Sequence, residues 1–257
     1  VSDQHQPHVL ELRNLHKRFG GAHIINGADL QLRQGERLAL IGPNGAGKST
    51  LFNLISGGAA ASSGEILLRG LQIGGMSPFQ ISRLGLARSF QITNIFPRLS
   101  VADNLRAAVL SAHGDRYVFW RRLSSLRLVN LRTQELLEQC GLQASSGMLA
   151  GDLSYADQRA LEIGITIAGD AGLILLDEPT AGMSRDEAAA AADLIRRVSV
   201  GKTLLMIEHD MDVVFGLVDR IAVLVDGRII ACDTPAAIRN NRVVQAAYLG
   251  SMGAEQP

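Results

Sequence analysis

Gly42-Pro43-Asn44-Gly45-Ala46-Gly47-Lys48-Ser49-Thr50 fits the pattern G-x-x-x-x-G-K-[ST] and lies between a short apolar run at 36–41 (ERLALI) and a helical pattern at 48–56. A loop of this kind, following a buried strand and opening a helix, turns backbone N–H groups inward around phosphate oxygens and sets the positive end of the helix against them. Lys48 is placed to reach the β and γ phosphates, and the Ser49 hydroxyl to bind Mg²⁺. The lysine is informative because the chain has only three, at 17, 48 and 202, among 25 basic residues. A glycine-rich turn followed by a chance Lys-Ser would require neither flanking element.

Other apolar runs also end in polar residues. Leu173-Ile174-Leu175-Leu176 runs into Asp177-Glu178. Two acids at the tip of a buried strand are costly unless they meet a metal or polarise a water. In a nucleotide site Asp177 would serve the Mg²⁺ shell and Glu178 would be the general base; without one, the strand simply surfaces into a turn at Pro179. The run 203–207 (TLLMI) ends in Glu208-His209-Asp210, which brings His209 out at the sheet edge where open α/β folds bind ligands. The other five histidines read as ordinary surface or core residues. Arg88-Ser89-Phe90-Gln91 closes a short strand before a helical stretch. Its Gln91 amide can contact Mg²⁺ or an attacking water without altering charge, and its place at a junction suits a hinge.

Around these points the chain alternates. Residues 8–14, 23–32, 36–41, 64–69 and 85–90 read as strands, and 101–168 shows helical spacing. Beyond it come strands at 172–176, 202–207, 219–225 and 227–231, with helices at 185–198, 211–216, 235–239 and 241–248. Runs such as LILL and LLMI are apolar without alternation, as strands of a parallel sheet covered on both faces should be.

The 257 residues, 47% of them hydrophobic, can bury a large core. Lys plus Arg and Asp plus Glu are equal at 25 each, and no basic patch stands out, so nucleic acid is not an expected partner. Cys140 and Cys232 lack metal-ligand spacing and read as ordinary reduced residues. VSDQHQPHVL lacks a secretory pattern, and no run is apolar for long enough to span a bilayer, so neither secretion nor membrane spanning is expected.

Residues 153–159 (LSYADQR) read locally as a capped helix start: Ser154 and Asp157 fit S-x-x-[DE], and Ala160, Leu161, Ile163, Gly164 and Ile167 supply the apolar face.

Taken together, these motifs resemble the ATP-binding subunits of ABC transporters, in that family's order and over nearly the whole chain. The resemblance implies an α/β fold: a P-loop NTPase core with a mainly parallel sheet, an N-terminal antiparallel β portion and an inserted helical subdomain. It divides the chain into a core at 1–92 and 169–257 and a helical subdomain at 93–168. Phe19 in KRFGG matches the aromatic that stacks on adenine, although alone it reads as a strand-end hydrophobe. By this resemblance Gly42, Pro43, Asn44, Gly45, Ala46, Gly47, Lys48, Ser49 and Thr50 would hold phosphate, Ser49, Gln91 and Asp177 would bind Mg²⁺, and Glu178 would be the catalytic glutamate and His209 the switch histidine. Lys48 and Gln91 would also act in catalysis. Residues 181–184 match the D-loop, with Ser184 where the family more often has an acid or an amide. LSYADQR falls at the signature, with Ser154 23 positions before Asp177. There Ser154, Ala156 and Asp157 would face ATP held by a second subunit; Ala156 stands where the family has Gly.

Tyr155, Asp157-Gln158-Arg159, LEIG (161–164), the insert at 113–135, MIEHDMDVV (206–214) and the ending Ala247-Tyr248-Leu249-Gly250 are similar to importers of branched-chain amino acids. This implies an ATPase that dimerises around two ATP, with itself or a second cassette, at the cytoplasmic face of the plasma membrane. Its partners would be integral permeases and, through them, a periplasmic or extracellular solute-binding protein. Relatives of this branch also serve urea, amides and aromatic acids, and a regulatory nucleotide-binding module without turnover is a separate class. The aromatic-basic stretch 117–122 either docks a membrane partner or packs the lobe. Neither a guanine-reading N-K-x-D motif nor a coiled-coil insertion is present, which argues against a GTPase switch and against the ABC-type ATPases of DNA repair.

Overall fold

The computed structural model describes residues 8–89, 95–113 and 126–252. The chain opens with strands β1 (His8–Phe19), β2 (Ala22–Arg33) and β3 (Arg37–Ile41), then helix α1 (Lys48–Ile55). Strands β4 (Ser63–Leu68) and β5 (Leu71–Gln72), helix α2 (Pro78–Arg83) and strand β6 (Leu86–Arg88) follow. Among the described residues the α-helices α3 (Val101–His113), α4 (Arg127–Cys140) and α5 (Tyr155–Thr166) come next. The remainder is β7 (Leu173–Asp177), α6 (Arg185–Val198), β8 (Thr203–Ile207), α7 (Met211–Leu217), β9 (Arg220–Val225), β10 (Arg228–Asp233), α8 (Pro235–Arg239) and α9 (Arg242–Met252).

Two sheets result. One is antiparallel, in the order β2-β1-β4-β5. The other runs β10-β9-β3-β8-β7-β6 and is parallel except at the β9–β10 hairpin. Successive residues of a strand face opposite sides of its sheet, and the unbroken apolar runs follow from this. Leu38, Leu40, Leu173, Leu175, Leu205 and Ile207 enter one core with α1 and the antiparallel sheet. Ala39, Ile41, Ile174, Leu176, Leu204 and Met206 enter the other, with the helices.

Among the described residues the helical lobe has no separate core. Val101, Leu105 and Val109 of α3, Leu136 and Leu137 of α4, and Leu161 and Ile163 of α5 belong to the same cluster as Ile174 and Met206 of the central sheet. Cys140 lies in that cluster too, and burial pushes its thiol up to about 12, which keeps it protonated.

Three local features depart from the sequence reading. The first strand continues past residue 14 to Phe19, because a bulge with Asn14 at φ 44° shifts the register between Leu12 and Leu15 and interrupts the alternation. Helix α2, fixed by a capping box between Ser77 and Gln80, is too short to show helical periodicity. The two residues of β5 are likewise too few to show strand alternation.

Phe52 of α1 is fully buried in the core beneath the phosphate loop. Phe52→Ala is expected to cost about 3–5 kcal/mol of unfolding free energy, measured as a lowered urea midpoint with an unchanged slope.

Candidate functional site

The register of the parallel sheet brings the loops together. Leu40 of β3 pairs with Ile207 of β8, and Ile207 with Asp177 of β7, so the three strands end level. Gly42, Glu208 and Glu178 therefore leave the sheet along one edge, the position where α/β folds place ligands.

The phosphate loop is held from behind by the β9–β10 hairpin. A Cβ on Gly42 would lie 2.1 Å from the Leu224 carbonyl oxygen, so only glycine fits there. At the hairpin turn the Gly227 N–H donates to the Ala46 carbonyl at 3.1 Å, and the Gly227 carbonyl accepts from the Asn26 N–H at 2.9 Å. Gly227 has φ 74°, and a Cβ there would meet the Ile24 carbonyl oxygen at 2.3 Å. Gly47 at φ 103° is the N-cap of α1 and supplies no side-chain acceptor. The opening N–H groups of α1 have no partners within the helix, and Asn44, Gly45 and Ser49 are exposed beside them. Lys48 is buried, and its Nζ donates to the carbonyls of Gly42 at 2.7 Å and Pro43 at 3.0 Å. Burial lowers its pKa, against the opposing pull of Glu178 and Asp177.

Asp177 is 2% exposed. Its Oδ2 accepts from the Arg88 guanidinium at 3.1 Å, and its N–H donates to Ser89 Oγ at 3.2 Å. Arg88 also donates to Asn53 Oδ1 and Ser56 Oγ of the α1 end, each at 2.7 Å, which fixes its direction. Burial raises the Asp177 pKa, chiefly opposed by the charge and hydrogen bond of Arg88. Asp177 Oδ1 is buried and has no hydrogen-bond partner among the described residues. A buried carboxylate oxygen without a donor fits a cation, and together with the exposed Ser49 hydroxyl in the first turn of α1 it would make the all-oxygen kind of donor set Mg²⁺ takes. No three His, Cys, Asp or Glu side chains converge as a metal cage among the described residues, which suits an ion that takes its remaining ligands from water and phosphate.

Glu178 has φ 49°, a left-handed conformation costing of order 1–3 kcal/mol in a residue with a side chain. Its N–H donates to the Ile207 carbonyl at 2.9 Å. Two residues on, the Thr180 N–H donates to Glu208 Oε1 at 3.0 Å and the Thr180 hydroxyl bonds the same oxygen. Glu208 is itself buried and accepts from the His209 N–H at 2.7 Å. This clamp sets His209 Nε2 2.9 Å from Glu178 Oε1.

The other described candidates sit on other elements. Phe19 is at the tip of the β1–β2 hairpin, 54% exposed, with Lys17 Nζ 4.5 Å from its ring centroid. Ser154 caps α5: its Oγ accepts from the Asp157 N–H and donates to the Asp157 carboxylate. Ser154 is exposed and Ala156 and Asp157 are half-buried. Ser184 caps α6 in a capping box with Glu187, a local reason for a hydroxyl there. Gln91 and the stretch 117–122 lie outside the described residues.

Four supporting residues escaped the sequence reading. Arg88, Glu208 and Thr180 act through partners far away in the chain. Gly227 had a visible signal, an Asp-Gly pair between two strands, but nothing linked that turn to the phosphate loop.

A profile described as ABC transporter matches residues 25–181, and one described as branched-chain amino acid ATP-binding cassette transporter matches residues 228–254. The chain belongs to the ABC transporter family. Like other ATP-binding cassettes of that family, it is an ATPase coupled to transport. It is 38% identical to the high-affinity branched-chain amino acid transport ATP-binding protein LivG of Escherichia coli (strain K12), over 94% of this chain and 98% of that protein. It is 34% identical to BraF of Pseudomonas aeruginosa, a protein of the same description, over 94% of this chain and 98% of that one. Among solved structures, a nucleotide-free ATP-binding cassette of an ABC transporter superposes with a TM-score of 0.82 at 26% identity, covering 94% of this chain and 98% of that one. An ATP-binding cassette in an ADP conformation gives the same TM-score, 0.82, at 26% identity, covering 95% and 99%.

The Arg88–Asp177 pair yields a stability prediction for this cassette. Arg88→Met leaves a buried carboxylate without its cation and should lower unfolding free energy by about 3–5 kcal/mol. Adding Asp177→Asn should recover most of that loss in a urea-melt double-mutant cycle, since the stranded charge is then gone.

Proposed function

We propose that this cassette drives import of branched-chain amino acids by hydrolysing Mg²⁺-ATP between two cassettes at the cytoplasmic face of a membrane. The observation that carries the reaction is the Glu178–His209 pair, 2.9 Å apart at the sheet edge beside Lys48 and Asp177. For the solute, support comes from relatives described by that solute at 38% and 34% identity over nearly the whole chain.

In this reading the loop amides of Gly42 to Thr50 and the Lys48 ammonium hold the β and γ phosphates. Ser49, Asp177 through Oδ1, and Gln91 would hold Mg²⁺, whose charge offsets that of the phosphates. The Glu178 carboxylate accepts a proton from the attacking water, and the left-handed backbone at 178 aims it out of the sheet edge. His209 bonds Glu178 through Nε2 and is placed to turn that nitrogen to the γ-phosphate. Phe19 offers adenine the ring face not covered by Lys17.

Ser154, Ala156 and Asp157 begin a helix whose N-cap is exposed to solvent, which suits phosphate held by a second cassette. Two cassettes facing each other would complete two such sites.

Docking to a permease has its own support. Phe96, Leu99, Met148 and Leu149 are exposed large apolar residues at the entrance to the helical lobe. They are held together by backbone bonds from Val101 N–H to the Met148 carbonyl and from Ala150 N–H to the Leu99 carbonyl, each near 3.0 Å or shorter. No helix among the described residues is long and apolar enough to cross a membrane, so attachment through permease subunits fits. A solute-binding protein would deliver the amino acid to those permeases from the far side.

Glu178→Gln should leave nucleotide affinity intact, accumulate an ATP-bound dimer on gel filtration, and cut turnover by about 10²–10⁴-fold; near-normal phosphate release would remove Glu178 as base. Phe96, at 60% exposure, is the most exposed of the four patch residues. Phe96→Asp should abolish co-purification with the permeases while basal ATPase of the isolated chain stays unchanged.

A further inference from the structure

The motif reading gave Tyr155 no role, yet its hydroxyl makes a directional contact between the helical lobe and the loop after Glu178. Tyr155 Oη lies 2.9 Å from the Ala181 carbonyl oxygen, and Arg159 Nε lies 3.1 Å from Oη. A guanidinium can only donate, so Arg159 occupies an acceptor position of the hydroxyl and the phenolic hydrogen is directed to Ala181. Arg159 is itself fixed by Glu162 at 2.7 Å, both side chains being buried. The ring lies against Gly182, where a Cβ would sit 3.5 Å from Oη and 3.6 Å from Cε1. Gly182 has φ 77°, and the turn it makes keeps the loop close to α5.

From Ala181 the connection continues to the base, since the Ala181 N–H donates to the Glu178 carbonyl at 3.2 Å. The opposite side of the same turn is gripped by Glu208 through Thr180. The loop is thus held between the sheet and the lobe by directional bonds, with Glu178 at its start.

We propose that Tyr155 is a positioning residue that ties the first turn of α5 to the loop carrying Glu178, so that the placement of the helical lobe sets the placement of the general base. The proposal rests on the reading of Glu178 as base. Tyr155 touches no reacting atom in this scheme; it acts through Ala181.

Tyr155→Phe keeps the ring on Gly182 and removes only the hydroxyl. In the purified full chain it should lower kcat about fivefold, the loss of about one net hydrogen bond, with the Kd for mant-ATP unchanged. Amide hydrogen exchange across 179–184 should quicken. In a Glu178→Gln background the same change should add no further fall in turnover, because its route runs through the carboxylate. An unchanged kcat with unchanged exchange overturns the proposal, as does an equal loss of nucleotide affinity or a further fivefold fall in the Glu178→Gln background. Should Glu178→Gln alone retain turnover, the base reading fails, and the exchange of 179–184 in Tyr155→Phe then decides separately whether the strut exists.

Discussion

A buried ammonium that follows β3 and a buried carboxylate that ends β7 stand at one sheet edge, flanking the end of β8, and much of the architecture serves to hold both there. Lys48 is held by two carbonyls of its own loop, and Asp177 by the guanidinium of Arg88. Either charge alone in a low-dielectric interior would be neutralised or would destabilise the chain. The parallel register makes the arrangement possible, because it ends β3, β7 and β8 level and delivers a cation, an acid pair and a histidine to one edge. A slip of one residue in any of these strands would exchange its two faces between the two cores and bury the wrong side chains. Placement of the site is therefore enforced by packing far from it.

Close backbone approach is the second constraint. At Gly42 and Gly227 the phosphate loop, the β9–β10 hairpin and β2 come so near that a single methyl group would strike a carbonyl. The hairpin is thus a rear wall for the phosphate loop, and the antiparallel sheet reaches the site through the Asn26–Gly227 bond. Glycines here buttress the loop as much as they admit phosphate, which explains why a turn some 180 positions later in the chain belongs to the same structural unit.

Local patterns in the sequence carried the elements well wherever one period held over several residues. The apolar runs of β3, β7 and β8, the glycine-lysine loop and the Ser154 cap all express themselves within a few neighbours. The bulge at Asn14 and the two-residue β5 do not, because each is too short or too irregular to hold a period. In the site, residues that end strands were legible, since a charge after an apolar run is conspicuous. Residues that support them were not. Arg88 meets Asp177 across 89 positions and Thr180 meets Glu208 across 28, pairings that only the tertiary fold creates. The lobe looked like a separate unit because its period changes at 101, yet its apolar faces share one cluster with the sheet.

Two kinds of joint connect that lobe to the core, and they differ in what they permit. The shared apolar cluster is non-directional, so small sliding of α3, α4 and α5 over the sheet exchanges one set of dispersion contacts for another at little cost, as in shear motions of packed helices. The Tyr155–Ala181 bond is directional and short, and weakens steeply once donor and acceptor lose alignment. Displacement of the lobe is therefore easy where contacts are apolar and resisted where the loop of Glu178 is grasped. Phe96 and Leu149 are exposed on this lobe, and Tyr155 of the same lobe bonds the loop that follows Glu178. A molecule built this way can convert nucleotide binding at one edge into movement at another without loosening the sheet between them.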